Sequence, residues 1–64
     1  MLTKYAHELV VGDKFLLRHL EKFYHASVVG NTEQDSNGQF VVLCSVNGDE
    51  GKRFFAPGET VNLV

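Results

Sequence analysis

The 64-residue sequence predicts one small, mainly β domain, and three features favour this fold class. Residues 39–46, QFVVLCSV, combine β-branched and aromatic side chains and form the clearest strand of the chain. Asn47-Gly48 follows directly, and this dipeptide tolerates the positive φ angles of a tight β-hairpin. The polar residues 30–38, GNTEQDSNG, precede the strand and form the clearest loop.

Two further strands and two turns follow from the same rules. The hairpin predicts a return strand over residues 52–56, KRFFA, and Pro57-Gly58 marks the next turn. Residues 60–64, TVNLV, then form a short closing strand. At the other end, residues 1–13 are a lead-in that ends in the turn signal Gly12-Asp13. No repeat or linker divides the chain, so residues 1–64 are expected to form a single domain.

Residues 14–29 are compatible with either a helix or two strands. As a helix, Leu16, Leu20 and Tyr24 fall on one face, and Asp13 is available as the N-cap. As two strands, 14–20 and 23–29, the chain must turn within residues 19–22, HLEK, whose side chains are poor turn formers. Local rules alone favour the helix narrowly.

A resemblance favours the two strands instead. The motif A-x-x-L-x-x-G-D at residues 6–13, followed by Phe15, resembles the opening of small SH3-like β-barrel modules. In those modules this turn leads into the first strand, and residues 57–61, PGETV, resemble the turn before the last strand. The resemblance implies a five-stranded SH3-like barrel and no particular function. We therefore expect the barrel, and the alternative is an α+β fold with one helix over residues 14–26 packed on a three-stranded antiparallel sheet.

The charge and the hydropathy pattern restrict the surroundings in which the protein acts. Six Lys and Arg residues stand against eight Asp and Glu, which gives a net charge of −2. Nucleic-acid binders usually present a basic face, so this charge disfavours nucleic acid as a partner without excluding it. No basic leader and no apolar run of about 20 residues is present, so we expect no membrane association and a cytoplasmic location.

Catalytic and metal-binding patterns are missing from the sequence. Cys44 is the only cysteine, which excludes an intrachain disulfide, and it alternates with apolar residues as a buried, unreactive side chain would. His7, His19 and His25 do not follow zinc-site spacings, either among themselves or with Cys44. No phosphate-binding loop or nucleophile elbow occurs. We expect a protein that is not an enzyme and that holds no cofactor and no metal.

The strand at residues 40–46 predicts an interface because it is apolar on both faces. Phe40, Val42 and Val46 share one face with Cys44, whereas Val41 and Leu43 lie on the other. A strand with one solvated face should alternate apolar and polar residues. The second face therefore needs cover from another layer of the domain or from another chain. This pattern predicts a protein partner, including a second copy in a homo-oligomer.

Aromatic pairs and one basic segment supply the remaining candidate binding residues. In a strand, each of the pairs Phe23-Tyr24 and Phe54-Phe55 places one ring on either face, so one ring of each pair can be exposed. Lys52-Arg53 lies directly beside the second pair. The candidate binding residues are Tyr24, His25, Val41, Leu43, Lys52, Arg53 and Phe55.

These features predict a non-enzymatic protein-interaction module that self-associates. Its small size is typical of the accessory proteins of bacteriophages and mobile elements, which bind or block a host protein in the host cytoplasm. The alternative is a small β-barrel that binds nucleic acid or nucleotides. In that alternative, Tyr24 and Phe55 stack on bases while Lys52 and Arg53 contact phosphates.

Overall fold

The computed structural model describes residues 2–64 as one antiparallel sheet that curls into a half-barrel. The mainly β fold class is therefore confirmed. Among the described residues there is no α-helix, and Ala6–Glu8 form a single 3₁₀ turn. The strands are β1 Thr3–Tyr5, β2 Lys14–His19, β3 Lys22–Val28, β4 Glu33–Gln34, β5 Phe40–Val46, β6 Asp49–Phe55 and β7 Thr60–Leu63.

Six of the seven strands follow the order β1-β7-β2-β3-β5-β6 across the sheet, and β4 pairs with β5 on the edge opposite β6. Among the strands of residues 2–64, β5 is the only one that pairs with three others. One of its edges pairs with β6 along its whole length, and the other edge is shared between β3 and the short β4. No described strand pairs with the outer edge of β6 or of β1, so the sheet does not close into a complete barrel.

The five predicted strands correspond to β2, β3, β5, β6 and β7. The other two strands were not predicted from the sequence. Strand β1 lies in the predicted lead-in, whose first residue is outside the described part of the chain, and β4 lies in the predicted loop. Both are too short to carry an alternating pattern. Each forms because a neighbouring strand, β7 or β5, offers an edge with which it can pair.

The alternative of a helix over residues 14–26 is wrong, since this segment forms β2 and β3. The two strands are joined by Leu20-Glu21, whose φ angles are 50° and 66°. Left-handed backbone costs roughly 1–2 kcal/mol for each residue that is not glycine. Local rules include the conformational cost of this turn and therefore favour a helix. They do not include the stabilisation that offsets this cost, which comes from the burial of Phe15 and Ala26 side by side on the concave face.

Exchanging the two hairpin turns should therefore change stability in opposite directions. Both Leu20-Glu21 and Asn47-Gly48 adopt positive φ angles, but only the second pair suits them. We expect the double substitution Leu20→Asn/Glu21→Gly to raise the free energy of unfolding by about 1–2 kcal/mol. The matched change Asn47→Leu/Gly48→Glu should lower it by a similar amount. Urea unfolding measures both, and an unchanged midpoint in the first variant would show that the Leu20-Glu21 turn is not strained.

Nine of the described residues are buried and fill the concave face of the half-barrel. Phe15 on β2 is fully buried and meets Phe55 on β6 edge-on, with ring centroids 6.1 Å apart and planes at 70°. Ala6 and Leu9, at either end of the 3₁₀ turn segment, are buried against the same core. The complete core is Ala6, Leu9, Phe15, Ala26, Val28, Val42, Cys44, Phe55 and Val61.

The Gly12-Asp13 turn that the sequence predicts connects three parts of the fold. The Asp13 carboxylate accepts a hydrogen bond from Lys4 Nζ at 2.8 Å and one from the Val10 N–H at 3.0 Å. Gly12, at φ 99°, donates its N–H to the Val28 carbonyl, and Val28 donates in return to the Asp13 carbonyl. The turn thereby fixes β1 and the end of β3 against the start of β2.

The Asp13 contacts should make stability depend on pH. The hydrogen bond from Lys4, and then that from Val10, hold the pKa of Asp13 below its ordinary value of 3.8. This stabilisation is present above the unfolded pKa and is lost as pH falls through the lower folded pKa. We expect Asp13→Asn to lower the free energy of unfolding by about 1 kcal/mol at neutral pH and to weaken the loss of stability in acid.

Urea unfolding between neutral pH and about pH 3 tests this expectation. Lys4→Met and the double variant Lys4→Met/Asp13→Asn complete a double-mutant cycle. If the two single losses simply add in the double variant, Lys4 and Asp13 are not coupled, and the explanation of the pH dependence is wrong.

Candidate functional site

The β5–β6 hairpin has two chemically different faces. Its register runs from Val46 opposite Asp49 to Phe40 opposite Phe55, and successive side chains alternate between the faces. Val42 and Cys44 are buried on the concave face, whereas Val41 and Leu43 are half-buried on the convex outer face. The prediction that this strand is apolar on both faces is confirmed. The outer face of β6 carries Glu50, Lys52 and Phe54.

A depression on the outer face brings together three of the predicted binding residues. It has a volume of about 260 Å³, and Val41, Leu43 and Lys52 line it. This volume is below the roughly 300 Å³ at which small-molecule pockets begin, so the depression suits a protruding side chain. We call it the outer groove; its complete lining is Gly30, Asn31, Glu33, Val41, Leu43 and Lys52.

The chain itself covers part of the apolar outer face of β5. The Val29 N–H donates to the Leu43 carbonyl at 2.9 Å, which draws the following residue against the strand. A Cβ at Gly30 would lie only 3.0 Å from the Leu43 Cβ, so the absence of a side chain at Gly30 permits this close approach. The segment after β3 thus covers one side of Leu43 and forms one wall of the outer groove. The side toward Val41 and β6 stays open.

Phe54 extends this open side, and its position corrects one prediction. Phe54 is the cross-strand neighbour of Val41 on the outer face and is 57% exposed, whereas Phe55 is 5% exposed in the core. The prediction that one ring of the pair is exposed is confirmed, but the choice of Phe55 as the binding residue is wrong. Two adjacent phenylalanines give no local signal of which one faces inward. The register of β6 against β5 decides it.

The other aromatic pair divides in the same way. Tyr24 is half-buried on the concave side, opposite Leu17, whereas Phe23 is 62% exposed on the outer face, opposite Arg18. His25 is exposed on the outer face beside Leu16. Neither Tyr24 nor His25 lines the outer groove, so the structure does not bring these two predicted residues together with Val41 and Leu43.

Lys52 and Arg53 point to opposite faces and do not form one basic cluster. Lys52 lies at the rim of the outer groove, but Arg53 is half-buried on the concave side. Arg53 lines a second depression of about 260 Å³ at the open end of the half-barrel, together with Cys44 and Gly51. A stack of bases along residues 52–55 would need both cations on the same side as an exposed ring. The fold does not meet this requirement, because Lys52 lies on the same face as the exposed ring of Phe54 and Arg53 lies on the opposite face.

Cys44 has the surroundings of a structural residue. It is 1% exposed, and its S–H donates to the Val42 carbonyl at 3.6 Å. Burial raises the pKa of the Cys44 thiol above its ordinary value of 9.0, and the positive charge of Arg53 opposes this shift with a smaller effect. The thiolate is therefore disfavoured at neutral pH, and thiolate is the form that acts as a nucleophile or metal ligand.

The side chains of residues 2–64 place no group of three or more His, Cys, Asp or Glu residues where they could hold a metal ion together. In the same residues, no helix has the length and apolar character needed to cross a membrane.

One aromatic cluster was not predicted from the sequence. His7 stacks on Tyr5 with ring centroids 5.4 Å apart and planes at 15°, and it lies 5.4 Å from Phe40 at 40°. The cluster joins the 3₁₀ turn to the start of β5. Residues 7 and 40 are far apart in the chain and carry no shared local pattern, so only the fold reveals their contact.

A scan against protein-family models finds no match, and searches of curated proteins and of solved structures find none either.

The buried position of Cys44 predicts slow thiol chemistry. We expect an aromatic disulfide reagent such as DTNB to react with the native thiol at least about tenfold more slowly than with the urea-unfolded chain. Because the folded pKa lies above the unfolded one, this group lowers stability as pH rises past about 9. Cys44→Ala, which carries no thiol, should lose that alkaline dependence. Equal rates in the native and unfolded states would contradict the burial of Cys44.

Proposed function

We propose that this chain is a non-catalytic protein-binding module that uses the outer groove and Phe54 as its contact surface. One observation carries the proposal. The half-buried Val41 and Leu43 form an apolar floor, and the exposed ring of Phe54 stands beside it as the cross-strand neighbour of Val41. An aromatic side chain next to an apolar depression is the usual centre of a protein interface.

The rim of the outer groove supports a protein partner in particular. Glu33 and Lys52 line the groove with opposite charges, on either side of the apolar floor. An apolar centre with a mixed polar rim matches the usual anatomy of a protein interface. The partner that fits is a protein with a protruding apolar side chain and polar groups around it.

Nucleic acid is the second candidate, because Lys52 and Phe54 share the outer face of β6. Bases stack on exposed rings while nearby cations contact phosphates. The surrounding charges oppose this use of the surface. Glu33 shares the groove, Glu50 lies on the same face of the same strand, and the net charge is −2. We therefore favour a protein partner.

A photocrosslinking residue at position 54 tests the proposal directly. Phe54 is replaced by benzoylphenylalanine in cells of the organism that encodes the protein, and crosslinked products are identified by mass spectrometry. We expect a defined product with another protein, reduced about tenfold or more by Leu43→Asp, which places a charge in the apolar floor. Phe23, which is equally exposed on the outer face but outside the groove, is the matched control position.

Two outcomes of this experiment would contradict the proposal. The same set of proteins at positions 54 and 23 would show contact without a specific surface. A product that nucleases remove would favour the second candidate. Retention on heparin that falls steeply with added salt would support that second result.

A further inference from the structure

The outer edge of β6 is open and carries a regular row of backbone groups. Val46 and Asp49 flank the two-residue turn of the hairpin and therefore exchange backbone hydrogen bonds with each other. By alternation, Gly51 and Arg53 also direct their backbone groups toward β5. Glu50 and Lys52 direct theirs to the opposite edge, where no described strand pairs with them.

The side chains along this edge change sign at one glycine. Residues 49–53 read D-E-G-K-R, with two acids before Gly51 and two bases after it. Within one chain these charges face uncharged neighbours on β5, such as Ser45 opposite Glu50 and Leu43 opposite Lys52. The only ion pair among residues 2–64 is that of Lys4 with Asp13, so all four charges on this edge lack a partner of opposite sign.

We propose that β6 pairs with β6 of a second copy, antiparallel, about a two-fold axis at Gly51. In this register Glu50 lies opposite Lys52 of the partner subunit on the outer face. Asp49 lies opposite Arg53 of the partner subunit on the concave face. Both pairs occur twice because the axis relates the two chains, so all four charges of each copy gain a neighbour of opposite sign.

The backbone of the edge is compatible with this register. Glu50 and Lys52 both direct their backbone groups outward, so each can exchange hydrogen bonds with the other residue of the second copy. Gly51 then faces its own copy in a non-hydrogen-bonded pair, where the Cα atoms approach to about 4.5 Å. Gly51 has no side chain to obstruct this approach, and no atom outside residues 50–52 lies within 4 Å of the position that its Cβ would take.

Neighbouring registers are disfavoured by charge. In an antiparallel pair, a residue whose backbone groups point outward must lie opposite another such residue. The two-fold axis can therefore pass through Glu50 or Lys52 instead of Gly51, but it cannot pass between two residues. At either position the residue on the axis meets its own copy, and like charges directly opposite each other are destabilising. The charge pattern therefore selects both the partner and the register. It also discourages the addition of unrelated strands, as charges on sheet edges commonly do.

This inference goes beyond the proposed function, because the paired edge and the apolar floor of the outer groove are different surfaces that meet only at Lys52. The axis stands perpendicular to the joined sheet, so the outer faces of both copies become continuous. The dimer then presents two outer grooves on one side.

Charge reversal tests the pairing. Glu50→Lys and Lys52→Glu each create two like-charge pairs, and we expect each to raise the dimer dissociation constant about tenfold or more, by analytical ultracentrifugation at low salt. The double variant Glu50→Lys/Lys52→Glu restores opposite charges and should recover the dimer. A mixture of the two single variants should form a heterodimer. Circular dichroism and thermal unfolding establish that each variant is folded.

A cysteine scan tests the register. With Cys44 replaced by alanine in every variant, Gly51→Cys should form an interchain disulfide under mild oxidation, because residue 51 meets its own copy. Glu50→Cys and Lys52→Cys are the controls, since each would crosslink first if the axis lay at that residue instead. A faster crosslink at position 50 or 52 would overturn the proposed register.

A wild-type chain that stays monomeric at millimolar concentration would overturn the pairing itself, and so would single charge reversals that leave the dimer intact. These results can be separated from a failure of the proposed function. Val41→Asp places its charge opposite Phe54 rather than opposite Lys52, so it alters the outer groove and should leave the dimer unchanged. Glu50→Lys alters the edge and should leave the crosslink from position 54 to another protein unchanged.

Discussion

The edge-to-face contact of Phe15 with Phe55 joins two strands that are not neighbours in the sheet. Strands β3 and β5 lie between β2 and β6, yet the two rings meet across the concave face with centroids 6.1 Å apart. Their contact requires the sheet to curl, and the seven smaller buried residues fill the space that the curl encloses. Aromatic pairs of this geometry contribute about 0.5–1.5 kcal/mol beyond their burial, a large fraction for a domain of this size.

The inward position of Phe55 also decides what the rest of β6 presents. Since alternate residues share a face, Phe55 inside places Arg53 and Gly51 inside and leaves Phe54, Lys52 and Glu50 outside. A slip of one residue would exchange the two sets completely. The Asn47-Gly48 turn prevents that slip, because its φ angles of 54° and 83° connect β5 and β6 with no extra residue. The exposed ring beside the outer groove and the open charged edge thus follow from one register.

The parts of this fold that the sequence predicts are those that local chemistry decides. Gly12-Asp13 and Asn47-Gly48 form turns because their residues suit the backbone angles, and residues 40–46 form a strand because of their β-branched content. The Leu20-Glu21 turn could not be predicted, since its cost is offset only by core contacts between distant residues. Strands β1 and β4 were missed for a similar reason, as each depends on a neighbour's edge.

The same distinction applies to the candidate site. Val41 and Leu43 were predicted because a strand that is apolar on both faces is visible in the sequence. Lys52 was predicted as part of a basic segment, although the fold separates it from Arg53. Phe54 required the register of β6, and the contribution of Gly30 required its close approach to Leu43. Patterns along the chain therefore do not reveal residues whose role depends on a neighbour in space.

The open edge of β6 and the thin core occur together in this small domain. A domain of this size buries only about 60% of the surface that its unfolded form exposes. Closing the barrel would need β6 to pair with β1, but β1 has only three residues and pairs with β7 alone. The buried Ala6 and Leu9 close one end of the core instead. Pairing of two copies would supply hydrogen-bond partners to the edge of β6 that the incomplete barrel leaves open. It would also add stability by mass action, which the core of a single copy cannot supply.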